Sequence, residues 1–344
     1  MKYIYIVNGR ADKVPQYSDF YAQLKEVPHT YEVYTTLGEG DATRYVRLYC
    51  DLHPEEEVCF VACGGNGIIN GVASGLMGYL EYVKEGGCGE NAAGVQANVN
   101  SVGSVLEYRK EGGCGENAAG VHGGKTMAIL YFAGATEDFI INFPSRNFRS
   151  VKEMLAGTVT PTDIIKVNDS YCLNVCNMGF NSRVASRANE LVAKGKSAHE
   201  AYIRGVINAF LTSRFNRIRV TVDGERIARG LMVLCTVANG RRVGGEFNCA
   251  PTAKTDDGLI DVCYFRAMSL VRLLMLFPLY RSGQHIGSRP GRGKVLYRQA
   301  REVVVSSRDI IDIYLDGELL PGSHFEMKIL PRALPLRLPP EIEN

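Results

Sequence analysis

Three absences narrow the reading of this 344-residue chain. Charge of one sign is not in excess: 39 Lys and Arg stand against 37 Asp and Glu, a formal net charge of +2. Such a balance excludes a protein that grips nucleic acid over its whole surface. Long apolar runs are missing too. The greasiest stretches, residues 231–238 and 271–280, fall far short of the about 18 residues that signal a membrane span, so membrane contact is expected to be peripheral. Among ten cysteines there is no Cys-x-x-Cys and no Cys/His cluster at zinc spacing. The opening apolar stretch, broken by Asn8 and Arg10, is too short for a signal-peptide core. A cytoplasmic protein with reduced, buried thiols is therefore expected. What is present is an ordinary globular composition, 46% hydrophobic and 22% charged, in a chain long enough for about two domains.

The first half alternates in texture. Residues 3–7 form an apolar run ending at Asn8-Gly9, residues 32–36 and 58–63 read as further strands, and helices are expected over 41–52, capped by Asp41, and over 68–80. Strands separated by helices and short turns predict an α/β domain with a doubly wound parallel sheet. From about residue 160 strand-like runs follow one another at 171–176, 218–222, 231–237, 259–265, 302–306, 311–315 and 325–330. Helical pattern is confined there to 182–193, 199–211 and 269–280. This predicts a mostly antiparallel β domain, with loop residues 158–162 as the border. Residues 80–95 recur at 106–121 with one change, Val83 becoming Arg109. Two copies are too few for a solenoid, so a duplicated surface insertion without a role is expected.

Four constellations could carry chemistry. Gly64-Gly65-Asn66-Gly67 lies between a strand and a helix, where backbone N–H groups and a helix N-terminus can meet phosphate oxygens. Gly134-Ala135-Thr136-Glu137-Asp138 follows the apolar run 127–132, and its turn should lie beside the first at one edge of the sheet. Residues 250–262 form a carboxylate-rich turn leading into a strand, with hard oxygen donors suited to Mg²⁺ or Ca²⁺, or equally to solvent. Asp316-Gly317-Glu318 follows the alternating run 311–315. Asp223-Gly224-Glu225 has the same letters in what reads as a plain hairpin turn, so the tripeptide decides nothing by itself.

Taken in order, these pieces resemble the diacylglycerol kinase catalytic-domain family, which includes bacterial diacylglycerol kinases and sphingosine kinases. Thr36 with Gly40-Asp41-Ala42, the Gly64–Gly67 loop and the Gly134 turn carry the resemblance in the first half. Thr162-Asp163-Ile164, Asn239-Gly240, Gly244-Gly245-Glu246-Phe247, residues 250–262 and residues 315–322 carry it in the second. The resemblance implies an ATP-binding α/β domain at 1–160, a β-sandwich domain at 161–330 and a segment at 331–344 returning to the first domain. It also implies phosphorylation of a lipid hydroxyl with ATP and Mg²⁺. Asn8, Thr36, Gly64, Gly65, Asn66, Gly67, Gly134 and Thr136 would surround the nucleotide. Asp138 and Asp163 would hold Mg²⁺ through water. Lys254 and Leu259 by their carbonyls, with Asp257 by its carboxylate, would form a structural metal site. Glu318, supported by Asp316, would be the general base.

The phosphate loop departs from the family. Asn66 stands where Asp is usual, Ile68 where Thr is usual and Gly71 where Glu is usual. Losing one charge-assisted hydrogen bond costs about 1.5–3 kcal/mol, roughly ten- to a hundredfold in rate if it falls on the transition state. An active lipid kinase with an altered metal shell is the leading expectation. A weakened or inactive nucleotide- or lipid-binding protein on the same fold is the alternative, and a soluble kinase akin to NAD kinases is more distant. No acid occurs between Asp261 and Glu302, while Arg266, Arg272, Arg281, Arg289, Arg292, Lys294, Arg298 and Arg301 fall inside. That stretch is suited to an anionic membrane surface carrying the lipid substrate, at about 1 kcal/mol per cation, or to a solvated face or homodimer contact. No nucleic-acid partner is expected.

Overall fold

The computed structural model describes residues 1–9, 17–86, 124–131, 138–179, 216–245 and 247–342. Strands β1 (Lys2–Asn8), β2 (Tyr31–Thr36), β3 (Val58–Cys63) and β4 (Thr126–Leu130) pair in parallel in the order β2-β1-β3-β4. Their side chains alternate between two cores, as the strand period of two requires. Ile4, Ile6, Phe60, Ala62, Met127 and Ile129 pack with helices α2 (Asp41–Leu52) and α3 (Asn66–Lys84). Tyr5, Val7, Val61, Cys63, Ala128 and Leu130 pack with α1 (Tyr17–Glu26) and α4 (Val151–Ala156). Helices on both faces explain why β3 is buried along its whole length and reads as an unbroken apolar run. The neighbours of β1 lie on opposite sides, so the carboxyl ends of β1 and β3 flank a topological switch point, where open sheets bind ligands.

The second half is antiparallel, as expected. β5 (Thr158–Val167), β6 (Ser170–Cys172), β7 (Val175–Gly179), β8 (Arg217–Val222), β9 (Glu225–Ala238), β12 (Ile260–Arg266), β13 (Val295–Ala300), β14 (Glu302–Leu315) and β15 (Glu318–Leu338) form its layers, beside a small pair, β10 (Arg242–Val243) and β11 (Phe247–Asn248). Alternation again builds two cores. Val262 and Tyr264 of β12 face an interior shared with Val303, Phe325 and Met327, while Cys263 and Phe265 face the residues of α5 (Leu270–Ser282). All eight cysteines among the described residues are buried and free.

Several sequence expectations are corrected. Residues 158–162 are not a loop: they open β5, which runs antiparallel to β15 from Thr158↔Leu338 to Val167↔Met327. β15 in turn pairs in parallel with β4 at Leu336↔Met127. A two-stranded ribbon, bent where the register shifts between Leu330 and Leu334, thus joins the halves into one continuous sheet. Asp41 does not cap α2. Gly40 holds that position with φ 74°, and Asp41 begins the helix. The run 171–176 breaks into β6 and β7, whereas 302–306 and 311–315 belong to one strand whose register shifts between them. Helix α1 has no counterpart in the sequence reading. The expected helices over 182–193 and 199–211, and most of the duplicated segment, lie outside the described residues.

Candidate active site

A cavity of about 790 Å³ opens at the carboxyl ends of β1, β2 and β3. Asn8 and Gly9 after β1, Thr36 after β2, and Gly65, Asn66 and Gly67 at the start of α3 line it. Close packing dictates the glycine at 9, because a Cβ there would sit 2.2 Å from the Thr36 carbonyl oxygen. α3 begins at Asn66, with Gly65 as its N-cap, so the first N–H groups of a 19-residue helix point into the cavity and suit an anionic ligand. Gly64 does not line the cavity; its N–H donates to the Leu130 carbonyl at 3.3 Å, tying the loop to β4. Gly71 also has a packing reason, since a Cβ there would lie 3.1 Å from Ala42 Cβ on α2, and Thr43 donates to its carbonyl at 3.0 Å. The loop at 37–40 forms the rim. Burial alone would raise the Asp41 carboxyl, but hydrogen bonds from Arg44, the Leu37 N–H and the Tyr34 hydroxyl outweigh it and hold the pKa below its ordinary value.

Asp316 and Glu318 come to the same cavity from the second half. Leu315 pairs with Glu318 across a two-residue turn in which Asp316 and Gly317 have φ 50° and 100°. Positive φ at both positions is the type I′ geometry that favours Asp-Gly. Asp223-Gly224 repeats it, with φ 46° and 80°, between Val222 and Glu225. Side-chain partners separate the two turns. Asp316 is buried, and its carboxylate accepts from the backbone N–H groups of Leu173 (2.8 Å), Asn174 (3.0 Å) and Val175 (2.8 Å). Among the described residues, Asp223 accepts from the exposed N–H groups of Arg301 and Glu302. Burial pushes the Asp316 carboxyl up to about 6 against the pull of its three donors. Burial, with the charges of Glu39 and Asp316 behind it, pushes Glu318 up to about 7, opposed by a hydrogen bond from Asn70. A carboxyl poised there can exchange a proton near neutrality.

The proposed metal ligands are dispersed. Asp138 is buried and accepts from the Gly244 N–H at 2.8 Å, from the Gly245 N–H, and from Asn66 Nδ2 at 2.5 Å. It thereby ties the phosphate loop to the β10–β11 turn. Asp163, fully buried, accepts from the N–H groups of Gly258 (2.6 Å) and Arg332 (2.7 Å) and so pins the bend of the β5–β15 ribbon. Among the described residues no group of three or more His, Cys, Asp and Glu could hold a metal ion. Asp138 and Asp163, with their oxygens engaged by N–H donors on separate loops, do not fit a shared magnesium shell. The turn carrying Lys254, Asp257 and Leu259 is different in chemistry. Burial raises the Asp257 carboxyl, helped by the charges of Asp163 and Asp256, while the Leu259 N–H and Lys254 pull it down. A cation among such oxygens would offset that strain. Gly134 and Thr136 lie outside the described residues.

Sequence reasoning assigned no role to Asn70, Glu39, Gly244 or Gly245. Asn70 receives the Leu173 N–H at 3.2 Å and donates to the Tyr171 carbonyl at 3.3 Å, besides its bond to Glu318. Its only signal was an amide inside the apolar start of α3.

The fold joins a doubly wound α/β layer to an antiparallel β layer, with the cleft at the carboxyl ends of the parallel strands. Residues 174–338 match the YegS C-terminal NAD kinase beta sandwich-like domain. The chain is 25% identical over 340 residues to "Probable lipid kinase YegS-like" of Enterobacter sp. (strain 638), covering 98% of this chain and 95% of the relative. The protein of that name from Serratia proteamaculans is 24% identical over 341 residues, covering 98% and 94%. A solved diacylglycerol kinase structure from Bacillus anthracis shares the fold with TM-score 0.59 at 17% identity, covering 98% of this chain and 97% of that one. The family resemblance carried by the motifs therefore holds along nearly the whole chain.

Proposed function

We propose that this chain is an ATP-dependent lipid kinase that transfers the γ-phosphoryl group to a lipid hydroxyl. The observation that carries the reading is Glu318: a carboxyl with pKa about 7, on a hairpin fixed by Asp316, facing the glycine loop across the cavity. ATP would lie at the carboxyl ends of the parallel strands, its phosphates against Gly65, Asn66, Gly67 and the α3 N-terminus. The acceptor oxygen attacks the γ-phosphorus as the bond to the β-phosphate oxygen breaks, and the Glu318 carboxylate takes the hydroxyl proton, giving ADP and the lipid phosphate. Mg²⁺ would enter on the nucleotide's phosphates, the usual mode for this ion. The surface of α5 supports approach to an anionic membrane. Val271 and Met275 stand 63% and 58% exposed, and Arg289 and Arg292 on the following loop are exposed as well. Arg272 and Lys294 instead donate to carbonyls of Pro290 and Ala267. No helix among the described residues is long and apolar enough to cross a membrane.

The direct Asn66–Asp138 bond favours a second reading, nucleotide or lipid binding without transfer. Labelled ATP, Mg²⁺ and mixed lipid micelles separate the two. Lipid-dependent transfer should rise with pH through about 7, because the base must be ionised, and Glu318→Gln should lower kcat by about 10²–10⁴. Absence of transfer to any lipid, or full activity in Glu318→Gln, overturns the kinase reading.

A further inference from the structure

A second cleft of about 580 Å³ adjoins the first, and the two share Gly40 and Glu318 in their walls. Its volume lies within the roughly 300–1,000 Å³ typical of small-molecule sites. If Glu318 takes the proton of an acceptor whose phosphoryl donor lies in the first cleft, the acceptor hydroxyl enters from the second. Resting on the kinase reading, we infer that this cleft holds the acceptor's headgroup, and that the headgroup is neutral and polyhydroxylated, as in a glycosyl lipid.

The lining carries the inference. Among the described residues, aliphatic side chains longer than alanine come only from Leu315, Leu319 and Leu320. Against them stand Arg47, Lys166 and Glu81, with the hydroxyls of Thr43, Ser74 and Ser170. Seating acyl chains here would cover charged and polar groups with hydrocarbon, which is unfavourable unless each finds a partner. A chain of hydroxyls supplies donors and acceptors for both kinds of group.

Charge sets the class of headgroup. Among the described residues, four carboxylates, of Glu81, Glu85, Asp169 and Glu318, line the cleft against the two cations of Arg47 and Lys166. Lys166 is already ion-paired to Glu81, which also accepts from the Tyr171 hydroxyl at 2.6 Å. The Arg47 guanidinium lies over the Tyr82 ring, 5.7 Å from its centroid. An anionic headgroup would meet a surplus of negative charge. A neutral polyol would find a carboxylate held in place by two donors, a common way to fix hydroxyl positions. The transfer balances as before: one hydroxyl of the headgroup loses its proton to Glu318 and gains the γ-phosphoryl group of ATP, which leaves as ADP.

The test uses the full chain with labelled ATP, Mg²⁺ and four acceptors presented separately: diacylglycerol, phosphatidylglycerol and monoglucosyl diacylglycerol in micelles, and free glucose in solution. The expected result is a kcat/KM at least tenfold higher for monoglucosyl diacylglycerol than for the other three. Preference for diacylglycerol or phosphatidylglycerol overturns the headgroup assignment and leaves the kinase reading intact. Preference for free glucose shows a soluble polyol as the source and overturns the lipid headgroup. Transfer to none of these but to another lipid of a total extract overturns the headgroup assignment alone, and transfer to no lipid at all overturns both. Ser74→Leu, which makes one wall apolar, should raise KM for the glucosyl lipid about tenfold with a smaller change in kcat. An unchanged KM in a variant that melts like the parent removes this cleft from the acceptor's path.

Discussion

The two Asp-Gly-Glu hairpins allow a controlled comparison within one molecule. Asparagine occupies the first position of a type I′ turn as readily as aspartate, so Asp316→Asn and Asp223→Asn leave backbone preference unchanged and alter only the side-chain acceptors. Asp316 uses both oxygens, Oδ2 for the N–H groups of Leu173 and Asn174 and Oδ1 for that of Val175. An amide has one oxygen. If it keeps the pair, its NH₂ faces the Val175 N–H, donor against donor, in a buried site. One orphaned buried donor costs about 1–3 kcal/mol, and the surviving bonds lose their charge assistance, so Asp316→Asn should lose about 3 kcal/mol. Asp223 receives both its donors, Arg301 and Glu302, on the single oxygen Oδ1. Its amide can keep both bonds in an exposed turn, and the loss should stay under about 1 kcal/mol. Thermal unfolding monitored by circular dichroism reads the difference, a fall of roughly 4 °C for Asp316→Asn against little change for Asp223→Asn. Equal shifts in the two variants would refute the assignment of Asp316 as the anchor of the hairpin that carries Glu318.

Further predictions concern charge. Asn66→Asp places a carboxylate against Asp138; at about 3 Å and an effective dielectric of about 20 the two repel by about 5 kcal/mol, relieved only by proton or cation uptake. The variant should melt well below the parent near pH 8, recover toward pH 5, and recover with millimolar Mg²⁺; indifference to both would show that the amide–carboxylate bond is not formed in solution. Glu318 should also mark the stability profile. Its pKa is raised from 4.5 to about 7 on folding, so the folded state holds the proton more tightly. The associated stability is complete below the unfolded value and is lost as pH rises through about 7. Parent and Glu318→Gln melting curves should therefore diverge between these limits, and parallel curves would contradict the shift. At the acidic turn, Mg²⁺ or Ca²⁺ should raise the melting temperature of the parent, and Asp257→Asn should abolish that response; a parent insensitive to either ion would exclude a structural metal there.

Much of the architecture was legible because local pattern and burial agree. The run at 58–63 reads as a strand and is one, since covering both faces leaves no polar position to confuse the period. The ribbon of β5 and β15 was not legible. Thr158, Thr160, Pro161 and Thr162 look like loop, and only pairing with a strand nearly two hundred positions later makes them sheet. The glycine loop was found from its place between strand and helix. The backbone partners of Asp138 and Asp163, the N–H groups of Gly244, Gly245, Gly258 and Arg332, were not, because backbone donors leave no trace in residue type. For the same reason the two Asp-Gly-Glu turns were indistinguishable as letters: what separates them is the β6–β7 backbone that only one of them reaches.

β15 has a consequence for how the chain is made. Its first residue is the candidate base and its last turn of sheet completes the parallel layer beside β4, roughly 200 positions upstream. During synthesis the parallel layer must wait with an open edge beside β4 until residues 334–338 emerge, and the β domain waits for residues 318–330. Neither half can close early and neither can close alone. Folding of the two halves should therefore be coupled and late, with an aggregation-exposed interval while that edge is uncovered.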